Sequence, residues 1–337
     1  MDWFEKLSGF RESDYASTRA KFEVSGTQLR SLVTDASYGI GTFELCSLQS
    51  LREEARGAGP RRGRLKASIV TGDVRAMHRQ PENAGSLFQV ASQFNMLEMV
   101  GPSVTPEHGV TRYEGDRTQG PACAIAAGAA TIYRNYFVPV GDVHGQTAKR
   151  QLDGLADIGA ALGNGLGVPV ERLWTMQNGY ALARQPGLDL ISRYLGTLGA
   201  SRIDDLRGRL AIGLHRDVEA TEAGSNPRPL ISQAFCSALP VAYSGIATSH
   251  WERFALLVLE AAYEATMWAA ILNAQRGVSN VVFLTFLGGG AFGNDDRWIF
   301  AAIRRALLTV AVYDLDVRLV CYSAPPDAVE RLAKEFP

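Results

Sequence analysis

Apolar positions along most of the chain fall into short β-branched runs that alternate with longer helical stretches. Runs such as "LKASIVTG" and "VVFLTFL" are typical of buried strands, and "FALLVLEAAYEATMWAAILNA" is typical of a core helix. Such alternation favours an α/β sheet with helices on both faces. The predicted strands lie at 65–72, 86–95, 171–182, 209–221, 231–244, 281–287 and 316–323, and the predicted helices at 120–137, 148–166, 187–199, 250–276 and 295–309.

The first 64 residues follow a different pattern. "KFEVSGTQLRSLV" predicts two strands around a turn at Ser25-Gly26, and "SLQSLREEAR" predicts a helix capped by Ser47. "RGAGPRRGR" predicts an exposed break whose arginines either contact an anionic ligand or are solvated. We therefore expect an N-terminal extension over residues 1–64, packed on a core domain over 65–337 that carries a central insertion.

Composition excludes several classes of protein. The 337 residues are 46% hydrophobic, enough for a sizeable core, and the net charge of -1 predicts no nucleic-acid partner. Glu260 and Glu264 interrupt the most apolar run, so no membrane span is expected. The acidic start "MDWFEKLSGFRESDY" does not resemble a secretory leader.

The cysteines and histidines predict neither a metal site nor a disulfide framework. No Cys or His pair has metal-ligand spacing, so we expect no metal and no other cofactor. Four cysteines in apolar surroundings predict buried thiols in a reducing, cytoplasmic compartment: Cys46, Cys123, Cys236 and Cys321.

A glycine-rich segment, "VVFLTFLGGGAFGNDDRWIFAAIRRAL" at 281–307, is the strongest local signal for a ligand. A buried strand that runs into glycines and then a helix is typical of an anion site, because backbone N–H groups and the helix N-terminus can face a phosphate. The segment lacks the lysine of a P-loop and the glycine order of a dinucleotide site. Asp295 and Asp296 are either metal ligands or, more simply, cap and first-turn acids.

Three segments in order resemble macrodomains and poly(ADP-ribose) glycohydrolases. The glycine-rich segment resembles the family's second phosphate loop, "KASIVTGDVRAM" an early strand whose acid contacts adenine, and "LFQVASQFNMLE" a strand whose Asn orients the distal ribose. The resemblance implies a macrodomain-like mixed sheet with helices on both faces. It also implies ADP-ribose contacts at Asp73, Val74, Asn95, Gly288, Gly289, Gly290, Ala291, Phe292, Gly293 and Asn294. Tyr322, at the end of the last predicted strand, either stacks on adenine as a further ligand contact or packs within the protein.

The chain departs from the family after Asn95, where the usual triple glycine is replaced by an acid-rich stretch, "MLEMVGPSVTPEHGVTRYEGDRTQGPACA". This stretch resembles a divergent macrodomain branch that includes a bacterial effector removing ADP-ribose from arginine, where acids of the loop are thought to act. Asp116 and Glu114 are the predicted catalytic acids together with Asn95, and Glu98 and Glu107 are further candidates. Gln119 either bonds ribose hydroxyls or caps the following helix.

The sequence therefore predicts a hydrolase that removes ADP-ribose from modified protein side chains, with arginine linkage preferred. Cleavage at C1 of the distal ribose has oxocarbenium character and requires a carboxylate, as in glycoside hydrolysis. Two alternatives stay open at this point: a non-catalytic module that binds ADP-ribose, and a hydrolase of a free ADP-ribose derivative. The expected partners are ADP-ribose and ADP-ribosylated protein.

Overall fold

A computed structural model describes residues 1–59 and 61–337. The helices are α1 Trp3–Ser8, α2 Tyr15–Arg19, α3 Leu48–Gly57, α4 Val74–His78, α5 Gln119–Ala126, α6 Gly128–Tyr136, α7 Ala156–Leu166, α8 Gln185–Thr197, α9 Ala200–Gly208, α10 Glu252–Gln275, α11 Asp296–Thr309 and α12 Asp327–Glu335. The strands are β1 Phe22–Ser25, β2 Gln28–Ser31, β3 Ser37–Gly39, β4 Thr42–Ser47, β5 Lys66–Thr71, β6 Leu87–Ala91, β7 Pro139–Val140, β8 Val143–His144, β9 Trp174–Gln177, β10 Tyr180–Ala183, β11 Ala211–Glu219, β12 Leu230–Cys236, β13 Val281–Leu284 and β14 Asp316–Cys321.

A seven-stranded mixed sheet in the order β4-β11-β12-β6-β13-β14-β5 forms the centre of the molecule. The five strands from β12 to β5 are parallel to one another. At one edge β11 pairs antiparallel with β12, and β4 pairs antiparallel with β11. Five carboxyl ends therefore meet at one edge of the sheet, which is where α/β proteins bind ligands.

Helices cover both faces of this sheet, because side chains alternate along each buried strand. Leu87 and Val282 belong to the core cluster beneath α3 and α7–α12. Phe88 and Phe283, their chain neighbours, belong to the cluster beneath α4–α6 and stack with ring centroids 4.3 Å apart. The predicted α/β class, with a mixed sheet and helices on both faces, is confirmed.

The longest helix, α10, is apolar around most of its circumference and packs against α3, α8, α9 and α11. By length and composition it would pass as a membrane span, but 89% of its most apolar 18-residue stretch is buried inside the protein. Helices that are apolar all round are typical of the centre of a large core.

The N-terminal 64 residues contribute an edge strand of the main sheet, a covering helix and a small separate sheet. The predicted strand pair and the Ser47-capped helix are confirmed as β1, β2 and α3. β1–β3 form a small sheet of their own, whereas β4 pairs with β11 at the edge of the main sheet. α3 packs on α10.

Several predicted elements differ in their bounds from those in the structure. The helix expected over 120–137 is broken at Ala127, and Gly128 there lies so close to the Trp3 ring that a Cβ would come within 2.7 Å of it. The strand expected over 231–244 ends at Cys236, where the chain turns along the edge of the sheet. The strand expected over 171–182 is a hairpin, β9–β10, with left-handed residues Asn178 and Gly179 at its turn.

Two further helices also differ from expectation. The helix expected over 148–166 begins only at Ala156, since Gln151 and Asp153 make side-chain hydrogen bonds before it. α12 was not predicted, although its strongly amphipathic sequence, "DAVERLAKE", carries the pattern of a surface helix.

Candidate functional site

A cleft of about 370 Å³ lies at the edge where the five parallel strands end. Its walls come from the residues that follow these strands and from the stretch that begins α5. The lining segments are 72–74, 91–93, 98–100, 116–122, 285–288 and 290–292, with Tyr180, Ala238, Tyr243, Val320 and Tyr322. The three segments that resemble the ADP-ribose-binding family are thus near one cavity, although they are far apart in the sequence.

The glycine-rich loop has two kinds of glycine. Gly288 and Gly293 have left-handed φ values of 79° and 67°, and a Cβ on Gly288 would lie 2.5 Å from that of Ala238. Gly290 has open space where a Cβ would be and lines the cleft. The fold therefore requires Gly288 and Gly293, whereas Gly290 leaves room for something outside the protein.

The loop also presents free backbone donors. The N–H groups of Gly288, Gly290, Ala291 and Phe292 donate to no acceptor within residues 1–59 and 61–337. All four residues line the cleft. A row of unpaired amides beside the N-terminus of α11 is the arrangement that binds phosphate oxygens.

Gly289 and Asn294 support the loop and do not line the cleft. A Cβ on Gly289 would face Ile299 of α11 at 3.1 Å. Asn294 is buried, and its amide donates to the carbonyl of Leu239 at 2.9 Å. Asp295 caps α11 through the N–H of Arg297 and pairs with the Arg297 guanidinium, so its carboxylate is engaged in helix capping.

Asp73 and Tyr322 lie at one end of the cleft, where the neighbouring strands β5 and β14 finish. Asp73 caps α4 by accepting from the N–H of Arg75, and its second carboxylate oxygen makes no hydrogen bond among the described residues. Tyr322 is 84% exposed, so one face of its ring is open for stacking. Val74 lines the cleft beside them but is buried.

Asp116, on the acid-rich stretch, also lines the cleft and is half-buried. Its carboxylate accepts from the N–H of Thr118 at 2.8 Å, which orients it at the start of α5. Glu114 is exposed and outside the cleft lining. Glu107 is engaged elsewhere, accepting from the N–H of Ala148 at 2.9 Å.

The N-terminal residues hold the acid-rich stretch in place. The Glu12 carboxylate accepts from the N–H groups of Val110 at 2.9 Å and Thr111 at 2.7 Å. It also accepts from the Tyr136 hydroxyl at 2.8 Å. Through Glu12, hydrogen bonds therefore connect the stretch that carries Asp116 to both the N-terminal section and α6.

Gln119 and Asn95 use their side chains within the protein. Gln119 lines the cleft, but its amide accepts from the N–H of Ala91 at 2.7 Å and donates to the carbonyl of Gln89 at 3.0 Å, which ties α5 to β6. Asn95 is fully buried outside the lining and donates to Gln151 at 2.9 Å. The β9–β10 turn covers Asn95, since a Cβ on Gly179 would meet its side chain at 2.6 Å.

Two aromatic residues of the cleft, Tyr180 and Tyr243, were not in the predicted set. Tyr180, Tyr243 and Phe292 form an aromatic cluster with centroids 5.2 to 5.6 Å apart. Tyr180 follows the Asn178-Gly179 hairpin turn and lies within the predicted strand over 171–182, but no motif in the sequence assigned it to a site. Glu98, which the sequence offered as a further candidate acid, borders the cleft and is 1% exposed, but nothing in the sequence indicated its burial.

Comparison with known proteins found similarity in structure alone. No family model matches the sequence, and no curated protein matches it. Poly(ADP-ribose) glycohydrolase from Deinococcus radiodurans in complex with ADP-ribose is 11% identical, with 87% of this chain and 94% of that chain covered and a TM-score of 0.44. The glycohydrolase from Thermomonospora curvata bound to the inhibitor ADP-HPD is 13% identical, with 92% and 94% covered and a TM-score of 0.36.

Proposed function

We propose that this protein is a hydrolase that removes ADP-ribose from modified protein side chains, with arginine as the linked residue. The observation that carries the proposal is the meeting of three distant segments in one cleft. Asp73, the free amides of the glycine-rich loop and Asp116 all line this cleft. Each of these matches a different part of ADP-ribose.

The cleft suits the ligand part by part. The unpaired N–H groups of Gly290, Ala291 and Phe292 suit the pyrophosphate, which needs several donors and no bulky side chain. The free oxygen of Asp73 suits the adenine amino group, and the open ring of Tyr322 suits its flat face. The distal ribose then extends toward Asp116.

A carboxylate beside C1 of the distal ribose supplies what hydrolysis needs. The bond between C1 and the side-chain nitrogen breaks as positive charge develops on the sugar, and a water oxygen takes its place. Asp116 acts here as a general base that accepts a proton from this water and stabilises the positive charge. Hydrogen bonding to Thr118 holds the carboxylate in one orientation before substrate arrives.

Arginine is the proposed linkage on two grounds. The acid-rich stretch that ends in Asp116 resembles the loop of the arginine-specific macrodomain branch. A linked guanidinium is a cation, so a carboxylate-bearing cleft attracts it more strongly than a neutral serine linkage.

Binding without cleavage is the second candidate function, because two of the four acids named from the sequence lie away from the cleft. Glu114 is exposed and Glu107 is bound to the chain at Ala148. A module that only binds ADP-ribose needs no carboxylate beside C1, so the position of Asp116 favours the enzyme.

The test compares Asp116→Asn with Glu114→Gln. Asparagine keeps an oxygen that accepts from Thr118 and removes only the charge, so we expect turnover of arginine-linked ADP-ribose to fall by about 10² or more. Affinity for free ADP-ribose, measured by calorimetry, should stay within about twofold, because the carboxylate acts on the transition state. Glu114→Gln is the matched control and should keep activity.

The outcomes separate the candidates. Full activity in Asp116→Asn would move the chemistry to another residue. A wild-type protein that binds ADP-ribose but releases none from arginine, serine or glutamate linkages would establish the binding module.

A further inference from the structure

Glu98 is a buried carboxylic acid that borders the cleft. It lies on the segment 98–100, which is fixed by Gln93: the amide of Gln93 accepts from the N–H of Met99 at 2.6 Å and donates to Tyr180 at 3.3 Å. Gly120 at the start of α5 passes so closely that a Cβ there would lie 3.2 Å from Glu98 Cγ. The carboxyl therefore occupies one position, between β6, α5 and the cleft.

The protein stabilises the negative charge of this carboxylate only weakly. Within residues 1–59 and 61–337, Arg134 is its one cationic neighbour and reaches it from a single nitrogen, at 3.3 and 3.4 Å. That guanidinium is shared with the carbonyl of Met96 and the hydroxyl of Thr131, and it lies 3.7 Å from the centroid of the Phe235 ring. A shared cation at such distances leaves a buried carboxylate incompletely stabilised.

The other titratable groups around Glu98 carry no charge that could offset this. Tyr113, on the acid-rich stretch, contacts Glu98 by accepting from its N–H at 3.1 Å, and burial raises the pKa of Tyr113 well above its ordinary value. Burial likewise raises the pKa of Cys123 on α5. Burial raises the pKa of Glu98 itself to about 7, against the lowering effect of Arg134. Both protonation states are therefore accessible at neutral pH.

We propose that Glu98 is the second catalytic carboxyl of this cleft, the general acid that protonates the departing side chain. The proposal rests on the proposed hydrolase function. It assigns different roles to two carboxyls in different surroundings: half-buried Asp116 receives the proton of water, and enclosed Glu98 donates one. Transfer to the leaving group takes place directly or through one water.

The step balances as follows. The bond between C1 and the linked nitrogen breaks, its electron pair goes to that nitrogen, and the nitrogen takes the proton of Glu98. Water forms the new bond to C1 and gives its proton to Asp116. Proton return from Asp116 to Glu98 through solvent restores both groups, so the net reaction consumes one water.

Two substrates that differ only in the leaving group provide the test. An arginine-linked substrate leaves as a strongly basic guanidine and needs a proton, whereas a para-nitrophenyl ADP-ribose leaves as a weakly basic phenolate and does not. Glu98→Gln should lower turnover of the arginine substrate by about 10², the usual contribution of a general acid, and turnover of the nitrophenyl substrate by less than about threefold. Wild-type kcat/KM should fall above pH of about 7 for the arginine substrate only.

The results distinguish a catalytic role from a structural one. Equal losses on both substrates, or unchanged turnover of the arginine substrate, would overturn the role of Glu98 while leaving the hydrolase intact. If Glu98→Gln does not fold, the wild-type pH profiles decide: the same fall above pH of about 7 on both substrates would overturn the proposal. A wild type inactive on both substrates would overturn the proposed function and this role with it.

Discussion

Two buried glutamates in this protein are treated in opposite ways. Glu264 and Glu98 are each 1% exposed. Glu264, in the helix layer, accepts from Arg52 at 2.7 Å, from Arg305 at 2.6 Å and from the indole of Trp268 at 3.1 Å. Glu98, at the cleft, has one shared arginine at 3.3 Å.

The difference is visible in their protonation. Burial raises the pKa of Glu264, but the hydrogen bonds from Arg52 and Arg305 outweigh it and bring the pKa below the ordinary value. Burial dominates at Glu98 and raises its pKa to about 7. The fully paired Glu264 joins α3, α10 and α11. An incompletely paired acid beside a cavity, such as Glu98, is typical of a proton-transfer site.

Removing the charge of Glu264 should have the largest effect on stability. Glu264→Gln leaves two arginines facing a neutral group in a buried position, so we expect the free energy of unfolding to fall by about 4 kcal/mol. Urea denaturation measures this. Asp204→Asn is the control, since the Asp204 side chain is 43% exposed and still borders the same arginines. An equal or smaller loss in Glu264→Gln would mean that its pairing contributes little.

The comparison between the two acids can be sharpened through pH. Because the folded protein holds the pKa of Glu98 above its unfolded value, the stabilisation from its proton is complete below pH of about 4.5 and is lost as pH rises to about 7. The stability of wild type minus that of Glu98→Gln should therefore decrease by about 3 kcal/mol across this window. Contributions of the buried histidines cancel in the difference, and a flat difference would contradict the raised pKa.

Two glycines of the loop also differ in their surroundings: a side chain on Gly289 would contact the protein, whereas one on Gly290 would enter open space. Gly290→Val places a side chain in the open space over the cleft, so ADP-ribose affinity should fall at least tenfold, or about 1.4 kcal/mol. Gly289→Val is the matched control, because its side chain would meet Ile299 and not the ligand. Calorimetry on both folded variants decides, and equal affinities would remove the loop from the phosphate site.

Local patterns predicted much of the fold and of the loop. A strand, a glycine run and a helix are adjacent in sequence, so the position of Gly290 at the cleft followed from the sequence. The burial of Asn95 and Glu98 could not be predicted from the sequence, because it depends on distant segments. The β9–β10 turn covers Asn95, and α5 and α6 enclose Glu98. Gly128, beside the helix break at Ala127, likewise packs against Trp3, more than a hundred residues away.

The order of strands in the main sheet also governs how the chain assembles during synthesis. β5 is synthesised near the start of the core domain. Its one partner strand among the described residues, β14, follows about 250 residues later. At roughly 5–20 residues per second, β5 waits some tens of seconds without a partner. Asp73 and Tyr322 follow these two strands, so the end of the cleft assigned to adenine is completed only when almost the whole chain has been made.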